Sequence, residues 1–167
     1  IKGAWVSFGG QVCYAGTRIL LEDSIHDEFV EILKTEAEGL KLGYGGNEGV
    51  EMGPVIDRNQ LETVMEYIDI GKQDADLLTG GFVADEGELS KGNFIVPTVF
   101  DNVPVDSRIS KEEVFGPVVS VLRFKDLDEA VAIANSTIFG LAGAVWTQDV
   151  SKAFWLARRI KSGTVWV

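Results

Sequence analysis

The alternation of apolar and amphipathic segments in the last fifty residues constrains the fold of this chain more than any other feature. The continuous apolar run 117–124 is typical of a strand buried on both faces, and Asp126 then begins a segment with one apolar helix face. A strand at 141–146, a helix capped by Asp149 and a strand at 164–167 continue the pattern. Because helices that connect parallel strands cover a sheet, we predict an α/β fold with a mostly parallel open sheet and helices on both faces.

The earlier part of the chain contains the same kinds of element. The apolar run 18–22 predicts a buried strand, and Ser24 is the expected N-cap of the helix that follows. Asp57 begins a capping-box pattern and predicts the start of another helix. The segment 94–100 is predicted to be extended, and Pro97 should confine it to a sheet edge or a bent strand.

Length and composition limit the organisation and the partners of the protein. With 167 residues, no internal repeat and no linker, residues 1–167 are predicted to form a single domain. The formal net charge of −11 argues against a nucleic-acid partner, because phosphate binding needs clustered Lys and Arg. No apolar run approaches the roughly 20 residues of a membrane helix, so no membrane partner is expected.

The chain has one cysteine and one histidine. One cysteine cannot form an internal disulfide, which fits a reducing, cytoplasmic compartment. Cys13 and His26 are too few to predict a metal site. We expect His26 to be exposed in the first turn of a helix.

Cys13 lies among three glycines, in a segment that runs from Gly9 to Gly16. Glycine allows the backbone to approach a ligand closely, and a nucleophile needs an open path together with backbone N–H donors. Most lone cysteines, however, are small buried core residues. The residues alone leave both hypotheses open.

Six segments, in chain order, resemble motifs of the aldehyde dehydrogenase family. They are the Cys13 segment 10–18, Met-Gly-Pro-Val-Ile at 52–56, Gly-Asn-Phe-Ile-Val-Pro-Thr-Val at 92–99, Glu-Glu-Val-Phe-Gly-Pro-Val at 112–118, Phe-Gly-Leu-Ala-Gly at 139–143 and Ser-Gly-Thr-Val-Trp-Val at 162–167. The resemblance covers essentially the whole chain. It departs at 7–9, where Ser-Phe-Gly stands in the region of the family's usual Asn.

The resemblance implies a covalent mechanism in which Cys13 is the nucleophile. Its thiolate would attack the aldehyde carbon and form a thiohemiacetal, hydride would pass to a nicotinamide ring, and water would release the acid from the remaining thioester. The backbone N–H of Cys13 resembles one half of the family's oxyanion hole.

The resemblance also implies roles for four other residues. Glu113 matches an acid that binds the nicotinamide-side ribose, and Phe115 matches an aromatic residue beside the nicotinamide ring. Val12 and Tyr14 flank the cysteine and would line the aldehyde site. Without the resemblance, Glu113 would be expected in a solvated loop and Phe115 in the core.

In the family, a cofactor-binding domain precedes the cysteine segment and carries the general base, and an oligomerisation strand follows. The resemblance therefore implies that residues 1–167 are a partial catalytic domain that lacks both. It implies NAD or NADP as cofactor, a small-molecule aldehyde as substrate, a homo-oligomer as the full-length protein, and no turnover by the 167-residue chain alone. The alternative is a non-enzymatic standalone domain that keeps the fold for structural or interaction purposes. A Cys13 that reacts with iodoacetamide faster than a buried thiol would favour the enzyme.

Overall fold

The computed structural model describes residues 3–167. The helices are α1 (Gly3–Val6), α2 (Asp23–Glu38), α3 (Arg58–Asp74), α4 (Arg108–Lys111), α5 (Leu127–Ala134) and α6 (Val150–Ala157). The strands are β1 (Arg18–Glu22), β2 (Asp76–Thr79), β3 (Thr98–Asp101), β4 (Val118–Phe124), β5 (Ala142–Ala144) and β6 (Thr164–Trp166). Two 3₁₀ turns lie at Ser7–Gly10 and Gly87–Lys91. No helix among residues 3–167 combines the length and the apolar character needed to cross a membrane.

The main sheet has four strands in the order β1-β4-β3-β2. The pairs β1–β4 and β4–β3 are parallel, and β2 is antiparallel to β3. This arrangement confirms the predicted α/β fold with a mostly parallel sheet. The strands of the last fifty residues do not share one sheet, however, because β1 and β3 occupy both sides of β4, and β5 and β6 pair with each other instead.

Successive residues of β4 face opposite layers of helices. Val119 and Val121 pack into a cluster with residues of α1 and α2, whereas Val118 and Leu122 pack into a cluster with residues of α3 and α5. These three valines and one leucine are almost completely buried. Each such side chain contributes about 1.5–3 kcal/mol of burial free energy, which explains why an uninterrupted apolar run forms this central strand.

The segment 94–100 is not at the sheet edge, which is one of its two predicted placements, and its pairing changes at Pro97, from a bridge between Val83 and Ile95 to the main sheet. Its regular strand is β3, which begins at Thr98, immediately after Pro97, and lies inside the sheet between β4 and β2. Thr98 N–H donates to Pro117 O at 2.9 Å. Pro97 is compatible with an interior strand because its missing N–H falls just before the first ladder bond.

Three aspartates cap helices as the sequence predicts. The carboxylate of Asp57 accepts from the backbone N–H of Gln60 at 2.8 Å at the start of α3. Asp126 caps α5 and Asp149 caps α6 in the same way. Such caps satisfy N–H groups that have no partner within the helix.

The predicted N-cap at Ser24 is wrong. β1 passes into α2 without a loop, so the helix begins at Asp23 and Glu22 is the N-cap residue. The Ser24 hydroxyl donates to the Glu22 carboxylate at 3.0 Å instead of capping the helix.

The predicted exposure of His26 is also wrong, since its side chain is only 1% exposed. Its Nε2 lies 2.7 Å from Asp101 Oδ1 at the end of β3, and its Nδ1 lies 2.9 Å from Asp27 Oδ1. Asp27 also accepts from Arg123 Nη2 at 2.9 Å. A polar ring can be buried when both of its nitrogens have partners, and the partner on β3 is distant in the sequence.

Asp27 should make the stability of the protein depend on pH. Its pKa lies below the usual value of 3.8, chiefly because of the hydrogen bond with His26 and then because of that with Arg123. A carboxyl group with a depressed folded pKa contributes stability above its unfolded pKa and loses it as the pH falls through the folded value. We therefore expect Asp27→Asn to reduce the loss of unfolding free energy between about pH 5 and about pH 3, measured by urea titration. Asp85→Asn, at an exposed position, is the control. If the free energy of unfolding changes with pH equally steeply in the two variants, the expectation is contradicted.

Candidate functional site

Cys13 occupies a tight turn between the first 3₁₀ turn and β1. The N–H of Ala15 donates to Val12 O at 2.9 Å, which places Cys13 and Tyr14 at the two central positions of a β-turn. The Cys13 thiol is free and exposed. Among residues 3–167, the backbone N–H of Cys13 has no hydrogen-bond acceptor. The turn therefore offers a sulfur atom together with an uncommitted N–H donor.

The start of the cysteine segment lies directly against the segment that carries Glu113 and Phe115. Gly10 has φ +75°, and a Cβ atom at this position would be 2.1 Å from Gly116 O and 2.6 Å from Pro117 N. Only a glycine permits such an approach of two backbones. The two segments that the sequence singled out are thus in van der Waals contact at Gly10 and Gly116.

Two glutamine side chains fix the loops around this contact. Gln11 Oε1 accepts from Ile56 N at 2.9 Å, and Gln60 Nε2 donates to Phe115 O at 2.9 Å. Sequence analysis missed both links, because a glutamine amide gives no periodic or capping signal for a partner tens of residues away. Gln11 and Ile56 nevertheless belong to two of the matched motifs.

Phe115 is neither buried core nor freely solvated. Its side chain is 37% exposed, and its φ of +54° is rare for a residue other than glycine. The hydrogen bond from Gln60 to its carbonyl holds this backbone geometry. A partly exposed aromatic ring is thereby presented at the surface on a held backbone.

The adjacent acids Glu112 and Glu113 have different environments. Glu112 accepts from Tyr67 Oη at 2.8 Å and from Arg108 Nη2 at 2.8 Å. Glu113 is exposed and, among residues 3–167, has no hydrogen-bond or ion-pair partner. One carboxylate braces the segment, and the other is free to accept hydrogen bonds from a ligand.

This brace should be visible in the titration of Tyr67, whose pKa lies above the usual 10.0, chiefly because its hydroxyl donates to Glu112. We expect Glu112→Gln to lower the pKa of Tyr67 toward its usual value, because the amide no longer stabilises the neutral phenol by charge. Spectrophotometric titration, with the Tyr67→Phe spectrum subtracted, measures the change. Glu113→Gln is the matched control, and an equal shift in both variants would contradict the assignment of the brace to Glu112.

The far side of the cysteine turn is covered in part by β6. The rings of Tyr14 and Trp166 lie with centroids 6.1 Å apart and planes tilted by 57°. Val12 is half-buried beside the turn. Because the Cys13 side chain is exposed, Val12 and Tyr14 flank an open thiol. No group of three or more His, Cys, Asp or Glu among residues 3–167 is arranged to hold a metal ion.

Comparison with protein families gives one match along the entire chain. The model of the "Aldehyde dehydrogenase family" matches residues 1–167. Betaine aldehyde dehydrogenase of Bacillus subtilis is 46% identical over 159 residues, which cover 95% of this chain and 32% of that protein. Human mitochondrial aldehyde dehydrogenase is 43% identical over 159 residues, which cover 95% of this chain and 30% of that protein.

Solved structures of related enzymes have folds that superpose closely on the fold of this chain. A structure of betaine aldehyde dehydrogenase from Staphylococcus aureus in complex with NAD⁺ superposes with a TM-score of 0.96 at 42% identity, covering 98% of this chain and 33% of that chain. A Thermus thermophilus 1-pyrroline-5-carboxylate dehydrogenase mutant gives a TM-score of 0.92 at 38% identity, covering 99% of this chain and 31% of that chain. The chain thus spans about a third of the length of these relatives.

Proposed function

This chain belongs to the aldehyde dehydrogenase family, and from that premise we propose that it supplies the nucleophile and part of the cofactor site for NAD(P)-dependent oxidation of an aldehyde to a carboxylic acid. One observation carries the proposal. The exposed thiol of Cys13 lies on a turn with a free N–H, and Gly10 joins that turn to the segment of the uncommitted Glu113.

Cys13 performs the covalent step. Its thiolate sulfur bonds to the aldehyde carbon, and the carbonyl π-electrons move to oxygen to give the oxyanion of a thiohemiacetal. The oxygen electrons re-form the carbonyl as hydride leaves that carbon, which gives a thioester, and attack by water then releases the carboxylic acid and the Cys13 thiolate. The free N–H of Cys13 can donate to the developing oxyanion, and one such donor typically contributes about 2.7–4 kcal/mol in acyl transfer. We assign no general base to the acids of this chain.

Glu113 and Phe115 are the residues that fit a nicotinamide nucleotide. A carboxylate without internal partners offers two acceptor oxygens to a ribose diol. The half-exposed ring of Phe115, held by Gln60, offers an apolar face for the nicotinamide. The cofactor supplies a hydride acceptor when it is bound.

A graft chimera tests this proposal. In it, residues 1–167 replace the aligned third of the Bacillus subtilis relative, and betaine aldehyde and acetaldehyde serve as probe substrates. We expect the chimera to reduce NAD⁺ with at least one aldehyde, and the 167-residue chain alone to show no turnover. A folded chimera without NAD⁺ reduction, or turnover by the chain alone, would contradict the proposal.

In the chimera, Glu113→Gln should lower kcat/KM for the cofactor by roughly 10- to 100-fold, since a hydrogen bond to a charged group contributes about 1.5–3 kcal/mol. Glu66→Gln, which removes an exposed carboxylate on α3, is the matched control. The same kcat/KM in the two variants would remove Glu113 from the cofactor site.

A reducing, cytoplasmic location and a homo-oligomeric full-length protein complete the proposal. An exposed, unpaired thiol is compatible with a compartment that keeps cysteines reduced. Light scattering of the chimera and of the full-length parent would measure the oligomeric state.

A further inference from the structure

The carboxyl end of α5, residues 133–136, receives two positively charged side chains from different parts of the chain. We call these residues the α5 anchor. Arg18 Nη2 donates to Ile133 O at 2.9 Å and to Ser136 Oγ at 3.3 Å. Lys111 Nζ donates to Ser136 O at 2.8 Å. The last carbonyls of a helix have no intrahelical partner and carry partial negative charge, so this is a favourable place for two cations.

The environment of Arg18 is unusual for an arginine that binds the end of a helix. It is half-buried, its partners among residues 3–167 are carbonyl and hydroxyl oxygens instead of a carboxylate, and its Nε has no partner there. Burial lowers the pKa of its guanidinium. A desolvated cation held by backbone carbonyls fixes the position of the backbone that it contacts.

Both cations are adjacent to the candidate site in the sequence. Arg18 begins β1, five residues after Cys13. Lys111 ends α4, two residues before Glu113. The α5 anchor therefore connects, from outside the site, the backbone that follows the nucleophile and the backbone that precedes the free carboxylate.

A third segment is tied to the same residues. Asn135 Nδ2 donates to Arg159 O at 2.8 Å, and Asn135 Oδ1 accepts from Lys161 N at 2.7 Å. Residues 159–161 lead into β6, whose Trp166 contacts Tyr14 beside Cys13. The anchor thus reaches the cysteine turn from two directions.

We propose that the α5 anchor is the positioning element of the site, with Arg18 holding the nucleophile segment and Lys111 holding the cofactor segment in register with each other. Its catalytic consequence rests on the proposed function, whereas the tethering itself does not. Arg18 and Lys111 act through the segments that they hold, and neither is a catalytic residue.

Amide hydrogen exchange in the 167-residue chain tests the tethering. Arg18→Met should raise exchange at residues 15–17, whose N–H groups are hydrogen-bonded, by about 10-fold or more, and Lys111→Met should do the same at residues 111–112. Arg58→Met and Lys91→Met are the matched controls, since each removes an equal charge from an exposed surface ion pair. If Arg18→Met does not fold, Arg18→Lys, which keeps the positive charge but loses the forked guanidinium that reaches several oxygens at once, carries the test, and it should raise exchange at residues 15–17 in the same direction.

Kinetics of the chimera test the catalytic consequence. Lys111→Met should raise the KM for NAD⁺ by about 10-fold and leave the alkylation of Cys13 by iodoacetamide in the 167-residue chain unchanged, and Lys111→Arg should restore the KM. Arg18→Met should lower kcat by up to about 10²-fold, which is the loss expected when a reacting group is misplaced by about 1 Å.

The outcomes separate the two ideas. Exchange responses at the named amides in a chimera without dehydrogenase activity would refute the proposed function and leave the tethering intact. An active chimera in which both variants match their controls in exchange and kinetics would overturn the α5 anchor. A uniform rise in exchange along the whole chain would also overturn it, because that pattern reports general destabilisation.

Discussion

Replacing Cys13 by alanine is expected to lower the kcat of aldehyde oxidation in the chimera by about four orders of magnitude or more, the scale seen when other covalent enzymes lose their nucleophile. No thiohemiacetal can form without the sulfur, and Cys13 is the only cysteine within residues 1–167. Because its side chain is exposed, the free energy of unfolding should change by no more than about 0.5 kcal/mol. Initial rates of NADH formation and urea unfolding measure the two effects.

Ser151→Ala is a suitable control, because it also removes a small exposed polar group whose side chain has no hydrogen-bond partner among residues 3–167. Cys13→Ser keeps the size of the side chain but has a much weaker nucleophile, so it should be nearly as inactive as the alanine variant. A Cys13→Ala chimera that retains a tenth of the activity would show that the thiol is not the nucleophile.

Gly10→Ala is expected to destabilise the chain by about 2–4 kcal/mol. About 1 kcal/mol or more comes from placing a side chain at positive φ, and about 1–3 kcal/mol comes from the overlap of the new Cβ with the Gly116–Pro117 backbone. Urea unfolding of the 167-residue chain gives the change in free energy. In the chimera, the same variant should weaken cofactor binding, because Gly116 cannot move away without displacing the Glu113–Phe115 segment.

Gly49→Ala separates the two contributions. Gly49 has φ +76°, almost the same as that of Gly10, but its nearest neighbour is the end of the flexible Lys41 side chain at 3.4 Å. It should therefore lose only the backbone contribution of about 1–2 kcal/mol. If Gly10→Ala and Gly49→Ala reduce the free energy of unfolding by the same amount, the overlap of the new Cβ with the Gly116–Pro117 backbone costs nothing in solution.

Structural elements that are determined by residues close together in the sequence were predictable. The run at β4 is apolar because both of its faces are buried, and the Asp57 cap depends on a residue three positions later. His26 was mispredicted because its principal partner, Asp101, is 75 residues away and has no local signature. The separate pairing of β5 with β6 likewise depends on which strands already flank β4.

The candidate site shows the same division. The resemblance of six short motifs to one family pointed to Cys13, Glu113 and Phe115, but it did not indicate which contacts hold them. The link from Gln60 to Phe115 and the backbone contact between Gly10 and Gly116 exist only after the chain has folded. The roles of the site residues remain predictions, to be decided by the chimera.

The contrast between Glu112 and Glu113 makes the spacing of this segment as important as its composition. Counting from Arg108, the fourth residue is hydrogen-bonded by the arginine and a tyrosine at the surface, and the fifth has no such partners among residues 3–167. Deleting one residue between Arg108 and Glu112 would preserve both acids, yet it would move Glu113 into the position that Arg108 and Tyr67 bind. A valine would then stand where a ligand needs oxygen atoms. A protein engineer who transplants this segment should therefore keep its length fixed before considering any change of residue type.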